Sequence, residues 1–438
     1  LKNLSGIRAL VGRWRLHMSK LRWILSRIRR TLWIRVALYA LAGVVVALLA
    51  SLSGQFFPGK APVDISTDAI DSLLTIIASS MLAVTTFSVG ALTAAYAGAT
   101  SHATPRATPL LTEDQVVQHA LSTFVGSFLF SIVGLIALKV SAYGPEGRVV
   151  LFAVTLVMIL LIVIALLRWI SRLTQLGRVA DTISRIEDAT NDAMKTRVDM
   201  PFLGGKALIS TREGNPIVAA SVGYVQFIDT SALNELTEER DIDIDVQLLP
   251  GAFAYDGTVL ARVPFGSEPL SEDTRASIRK AFTIGTARTY DQDPRFGVVV
   301  LSEVALRALS PAVNDPGTAI DIIGRQTRLL SFWGDAWERG SRSPANYPRI
   351  SVPALKYDDM FEDAFNLIGR DAAGQIDVML RLTKALQALT ATGPEASRIA
   401  ARHQLRIALD RAEDALQSPF DRQRLSDAVG VPYAADRG

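Results

Sequence analysis

The densest run of side chains able to do chemistry lies between Arg288 and Asp321. Arg288, Asp291, Gln292, Asp293, Arg307, Ser310, Asn314, Asp315, Thr318 and Asp321 bring side-chain oxygens and two guanidiniums into that stretch. Oxygen-rich groups of this kind can hold a hard cation or gate a pore mouth. Their spacing is not that of a calcium loop. The same residues have a plainer use. Asp293-Pro294 and Asp315-Pro316 each precede a helical pattern, and Asp as N-cap with Pro at the first helical position is a start signal. Ser310-Pro311 would end the helix between them. Capping and ligand binding are both compatible with these residues.

A second polar pattern is made of hydroxyls. Ser72, Ser79, Thr86, Thr93 and Thr100 fall at every seventh position, with Thr75, Ala83, Gly90 and Ala97 on or near the same side. No Asp, Glu, Lys or Arg occurs from Ser72 to Pro105. A seven-residue repeat keeps one stripe of a helix facing a neighbour or a central axis. Ser72, Thr75, Ser79, Thr86, Thr93 and Thr100 are therefore candidate pore-lining residues. The alternative is small-residue packing between spans, with hydroxyls bonded to backbone.

Enzyme signatures are missing. The chain has no P-loop, GxGxxG, HExxH or GxSxG. It has no cysteine, which excludes disulfides and thiolate metal sites. His403 stands in a charged helical context without a visible Ser or Asp partner, and His102 and His119 have nothing else at metal spacing near them. We expect no catalytic activity, cofactor or bound metal.

The elements that position these residues are mostly apolar helices. A bilayer core of roughly 30 Å needs about 20 apolar residues in helix. Four segments qualify, near Leu32–Phe57, Ser72–Ala99, His119–Val140 and Val149–Trp169. Ahead of the first, Leu1 to Val63 holds no Asp or Glu, and apolar residues from Leu4 to Ile28 recur at helical spacing between arginines. Arg13, Arg15, Lys20, Arg22, Arg27, Arg29 and Arg30 fit a basic amphipathic helix on anionic lipid headgroups. Packing on the protein's own soluble domain is the alternative. The adjoining apolar run favours a membrane over nucleic acid as partner. Basic residues before the first span, and Arg168, Arg172 and Arg178 at and after the end of the fourth, place both ends in the cytoplasm. No Asp, Glu or Lys stands deep in a span, which counts against a proton-driven pump.

Beyond the spans the sequence reads as soluble. Gln175 to Lys195 continues as a helix, ending near Pro201 and Gly204-Gly205. Ile217 to Asp229 has strand character, and a helix follows, opened by Thr230 or Ser231. Asp243–Leu249 and Thr258–Val263 read as short strands around Pro250-Gly251 and Asp256-Gly257 turns. Asp358–Gly369, Gln375–Thr390 and Glu395–Leu416 are helical. The expected fold is an α-helical integral membrane domain of four transmembrane helices plus an α+β cytoplasmic domain with a C-terminal helical bundle. Its divisions are a surface helix (1–31), the spans (32–172), a connecting helix (173–200), the α+β domain (201–335) and the helical region (336–438).

Several stretches resemble one known family. They are FSVGAL (Phe87–Leu92), Pro105-Arg106, FVGSFLF (Phe124–Phe130), GYVQFID (Gly223–Asp229), Pro250-Gly251, DQDPRFG (Asp291–Gly297) and ALSPAVNDPGTA (Ala308–Ala319). On these the chain resembles the bacterial predicted-membrane-protein family called domain of unknown function 2254. The loop around Ser101 to Thr108 and the C-terminal tail depart from it. The resemblance implies a bacterial inner-membrane location and spans followed by a soluble domain, and it brings no established activity. From the hydroxyl stripe we expect a homo-oligomeric ion channel or small-solute pore with a cytoplasmic gating domain. A membrane-anchored sensor or scaffold is the alternative, and a metal-dependent enzyme using the same carboxylates is a third.

Overall fold

A computed structural model describes Lys20, Trp23 and residues 32–56, 66–140, 143–265 and 270–430. The chain divides into two compact units, residues 25–182 and residues 183–438, the latter with Lys20 and Trp23.

The first unit is built from long helices: α1 (Leu32–Phe56), α2 (Thr67–His102), α3 (Gln115–Lys139) and α4 (Pro145–Leu173). Thr67–Ser101, Gln115–Lys139 and Gly147–Leu173 are long and apolar enough to cross a membrane, and α1 holds a shorter apolar run, Ile34–Leu49. Polar groups set the helix starts. The Ser66 hydroxyl accepts from the Ala69 N–H, and Asp114 Oδ1 accepts from the Val116 and Val117 N–H groups at 2.8 and 3.2 Å.

The middle of this unit is α3, which packs against α1, α2 and α4. Gly126 permits one of these contacts: a Cβ on the facing Gly43 would stand 2.7 Å from the Gly126 carbonyl oxygen. Ile70, Leu74, Phe124, Phe130 and Leu151 fill the interior. Outward lie Leu38, Leu41, Leu48, Leu49, Leu160 and Leu167, an apolar surface suited to lipid rather than water.

The second unit is α+β. Helix α5 (Val179–Asp199) begins just after Gly177, whose φ of +79° allows the turn ahead of it. The strands are β1 (Lys206–Ala207), β2 (Gly214–Val218), β3 (Gly223–Ile228), β4 (Ile244–Val246), β5 (Phe253–Ala254), β6 (Val259–Pro264), β7 (Phe282–Gly285) and β8 (Ile350–Val352). One sheet has the order β1-β8-β4-β6-β2 and the other β5-β3-β7. β8 is parallel to both β1 and β4, and the remaining pairings are antiparallel. Ile217, Val225, Leu233, Ile244, Val246, Leu260, Ile278, Ile350 and Val352 form one buried cluster from both sheets and their helices.

Helices α6 (Thr230–Arg240) and α7 (Glu272–Ala281) pack on these sheets, and α8 (Pro294–Leu309) and α9 (Pro316–Gly340) lie beside each other. The helices α10 (Ile376–Ala391), α11 (Glu395–Ala415) and α12 (Pro419–Val429) complete the C-terminal bundle around Trp333, Phe361, Phe365, Leu382 and Leu386. Three local expectations change. Residues 217–229 split into β2 and β3, because the chain leaves the strand over residues 219–222. Asp229, not Thr230 or Ser231, caps α6, its Oδ1 accepting from the Ala232 N–H. The interior strand β8 comes from the region read as helical.

Candidate functional site

The first half of the polar motif is a buried bracket in the second unit. Asp293 caps α8 through the Phe296 N–H and is almost wholly buried. Arg288 grips it with two bonds, Nε to Oδ2 at 2.8 Å and Nη2 to Oδ1 at 3.0 Å. The guanidinium also lies 5.2 Å over the Phe296 ring. Burial pushes the Asp293 carboxyl above the ordinary carboxylate range, against the pull of Arg288. Gly251 is required here: its φ is +93°, and a Cβ on it would overlap the Asp293 carboxylate. Gln292 pairs with the Ile228 backbone, accepting from its N–H at 2.9 Å and donating to its carbonyl at 3.3 Å. Asp291 accepts from Trp23 Nε1 at 2.8 Å. The residues of DQDPRFG thus join the start of α8 to the three-stranded sheet.

The second half lies elsewhere. Asp315 caps α9 through the Thr318 N–H and hydroxyl. Those hydrogen bonds hold its carboxyl below the ordinary range. Asn314 takes a left-handed φ of +49°, and residues 311–317 are all exposed. Ser310 turns its hydroxyl to the Arg307 carbonyl, Arg307 is exposed, and Asp321 pairs with Arg325 at 2.7 Å. Asp293 and Asp315 stand at opposite ends of α8, whose 16 residues span about 24 Å. The ten residues therefore do not converge, which removes them as one cation site. Among the described residues no group of three or more His, Asp or Glu is placed to hold a metal.

The hydroxyl stripe of α2 faces outward. Ser72, Thr75, Ser79, Thr86 and Thr93 are exposed, and Thr100 is half-buried with its hydroxyl 3.4 Å from that of Thr108. Ser79, Thr86 and Thr93 donate to the carbonyls of Thr75, Leu82 and Val89 one turn back. A Cβ on Gly90 would meet nothing within 4 Å. This face is not used in packing within the first unit.

Of the front residues, Lys20 alone among the seven basic candidates is described; Arg13, Arg15, Arg22, Arg27, Arg29 and Arg30 lie outside the described residues. Lys20 Nζ donates to the Lys280 carbonyl at 3.0 Å, a protein contact where a lipid headgroup was expected. Its backbone N–H donates to Asp229 Oδ2 at 2.6 Å. Trp23 is buried and stacks on Phe227 at 5.1 Å. At these two positions the front rests on the second unit.

Two groups escaped the sequence reading. One is an ion network in the first unit. Arg172, at the end of α4, donates from Nε to Asp114 Oδ2 at 2.6 Å, from Nη2 to Asp181 Oδ2 at 2.7 Å and from Nη1 to Gln175 Oε1 at 2.8 Å. Helical spacing gives no hint of it, since Asp114 and Arg172 are 58 positions apart. The other is the interior of α3, where Gln118, Ser122, Ser127 and Ser131 are fully buried. Helix α3 thus has its own polar line, turned inward where that of α2 turns outward.

A family model described as a predicted membrane protein (DUF2254) matches residues 29–388. Two uncharacterized proteins, one of Mycobacterium bovis and one of Mycobacterium tuberculosis, are each 34% identical over 112 residues, 25% of this chain and 21% of theirs. An uncharacterized protein from another Mycobacterium tuberculosis strain is 33% identical over the same length. The chain spans about a fifth of the length of these curated relatives, 21% in each case. No solved structure matches it.

Proposed function

This chain belongs to the DUF2254 family of predicted membrane proteins, and on that footing we propose that it is a homo-oligomeric ion channel or small-solute pore of the bacterial inner membrane. In this reading α1 crosses as a fourth span, both ends of the chain face the cytoplasm, and the unit of residues 183–438 serves as the gate. The basic front, where it is not held by protein, rests on anionic lipid. One observation carries the proposal: the charge-free hydroxyl face of α2 is exposed over Ser72, Thr75, Ser79, Thr86 and Thr93. Exposed Ile76, Leu82, Phe87 and Val89 flank the stripe and suit lipid, but the line of hydroxyls itself gains more from water or from the same face of a second copy. Each hydroxyl bonded one turn back still has an acceptor lone pair for a passing water or cation.

Planar-bilayer recording with purified protein tests the reading. Unitary currents are expected, and Thr86→Leu with Thr93→Leu should reduce them while leaving assembly intact. Silence across voltage, pH and salt would remove the pore. A second reading is a membrane-anchored sensor or scaffold, favoured by the fully exposed loop 311–317 that carries a family motif. Loss of a captured partner protein in Asp315→Asn, with no conductance in any variant, would select it.

A further inference from the structure

Arg197 lies near the end of α5, 3% exposed, in the second unit. Its Nε and Nη1 are buried and have no hydrogen-bond partner. Burying a guanidinium costs several kcal/mol unless it is paired and its N–H groups are satisfied. Asp293 attracts it through space. The Asp293 oxygens, however, are taken by Arg288 and the Phe296 N–H. The nearby Asp229 oxygens are taken by Ser231, the Ala232 N–H and the Lys20 N–H. Neither carboxylate is hydrogen-bonded to Arg197.

Arg197 lines a cavity of about 30 Å³, with Thr230, Ser231, Gln292 and Tyr347 on its other sides. Thr230 and Ser231 are the first two residues of α6, an 11-residue helix, so the positive end of that helix borders the same space. The side chains of Thr196, Thr230 and Ser231 already donate to Asp192, Leu203 and Asp229. Gln292 is occupied by the Ile228 backbone. The guanidinium, with Nε and Nη1 unpartnered, is a donor with capacity to spare. The space exceeds the roughly 10–15 Å³ that one water needs and is small for a tetrahedral oxyanion with its several donors.

We propose that the cavity beside Arg197 is a binding site for one small monovalent anion of the chloride class. The anion supplies the missing counter-charge and accepts the spare N–H of the guanidinium. Burial pushes Arg197 down to about 10, so it remains a cation at neutral pH and the attraction persists there. The site joins three segments: α5, the start of α6 after GYVQFID, and DQDPRFG. Its occupancy would therefore set how firmly α5 is held on the sheet domain. This inference does not depend on the pore.

The test uses the full chain purified in detergent and dialysed to equilibrium against radioactive chloride, with gluconate holding ionic strength constant. Saturable uptake near one chloride per chain is expected, with affinity at least about tenfold weaker in Arg197→Gln, since a hydrogen bond to a charged group is lost. Should that variant fail to fold, crystals of the unaltered protein soaked in bromide give the same answer. An anomalous peak within hydrogen-bond distance of the Arg197 guanidinium supports the site. The absence of saturable uptake and of that peak means that water fills the cavity, and the proposal falls. It falls equally if Arg197→Gln takes up chloride as well as the parent protein.

Discussion

Replacing Arg172 by methionine should be among the most damaging single changes in the first unit. The side chains of Arg172 and Asp114 are 9% and 3% exposed, that of Asp181 20%. Methionine keeps the bulk of the stem but removes the charged bond from Arg172 to Asp114 Oδ2, in a buried carboxylate whose other oxygen caps α3. Breaking a buried pair from one side costs about 3–5 kcal/mol. Asp181, more exposed, recovers water and adds little. For a unit of this size each kcal/mol lowers the melting temperature by roughly 2–4 °C, so a fall of about 10 °C is expected. Asp114→Asn should cost less, because Arg172 keeps Asp181 and Gln175 and asparagine still caps a helix. The double variant should cost less than the sum, as both changes remove the same ion pair. Thermal unfolding in detergent measures all three. The reasoning fails if Arg172→Met melts with the parent, or if Asp114→Asn proves the more damaging of the two.

Three further outcomes follow from the second unit. A Cβ on Gly297 would overlap the Thr190 hydroxyl, so Gly297→Ala should destabilise by about 1–3 kcal/mol in the same melting assay, partly restored by adding Thr190→Ala. Trp23→Ala removes the stack on Phe227 and the bond to Asp291; a loss of about 3 kcal/mol should appear as new tryptic cleavage near Lys20. The Asp245 carboxyl is pushed up by burial but held below its ordinary value by hydrogen bonds from Arg212 and Ser351. A depressed carboxyl stabilises above its unfolded pKa of about 3.9 and loses that contribution as pH falls below it. Asp245→Asn should therefore be less stable at pH 7 and show a flatter decline below about pH 4 in acid titrations followed by circular dichroism.

The features legible in the sequence are those whose cause is local. Asp293-Pro294 and Asp315-Pro316 start α8 and α9, as a cap and a fixed φ dictate within four residues. The apolar runs of α2, α3 and α4 are equally self-announcing. What failed were statements about which distant groups meet. Ten polar residues within one stretch looked like a cluster, yet the intervening helix holds Asp293 and Asp315 apart. Arg172 counted only as a flanking charge, because its partner Asp114 lies two helices away in sequence. The buried serines of α3 and the exposed hydroxyl stripe of α2 are of the same kind, and only the packing of neighbours turns one set inward. Arg197 gives no signal at all, since its lack of a hydrogen-bond partner is a property of the finished interior.

The position of β8 has a consequence for synthesis. Residues 350–352 sit between β1 at 206–207 and β4 at 244–246, and no other strand occupies that slot. A ribosome adding about 5–20 residues per second needs roughly seven to thirty seconds to travel from β1 to β8. From the synthesis of β4 onward the emerging chain carries a gap in its larger sheet, with one β4 edge unpaired and open to strands of other nascent chains. Late closure makes this region the natural client of a chaperone, and a nonsense codon shortly before Ile350 would yield an aggregating fragment rather than a shortened but folded protein.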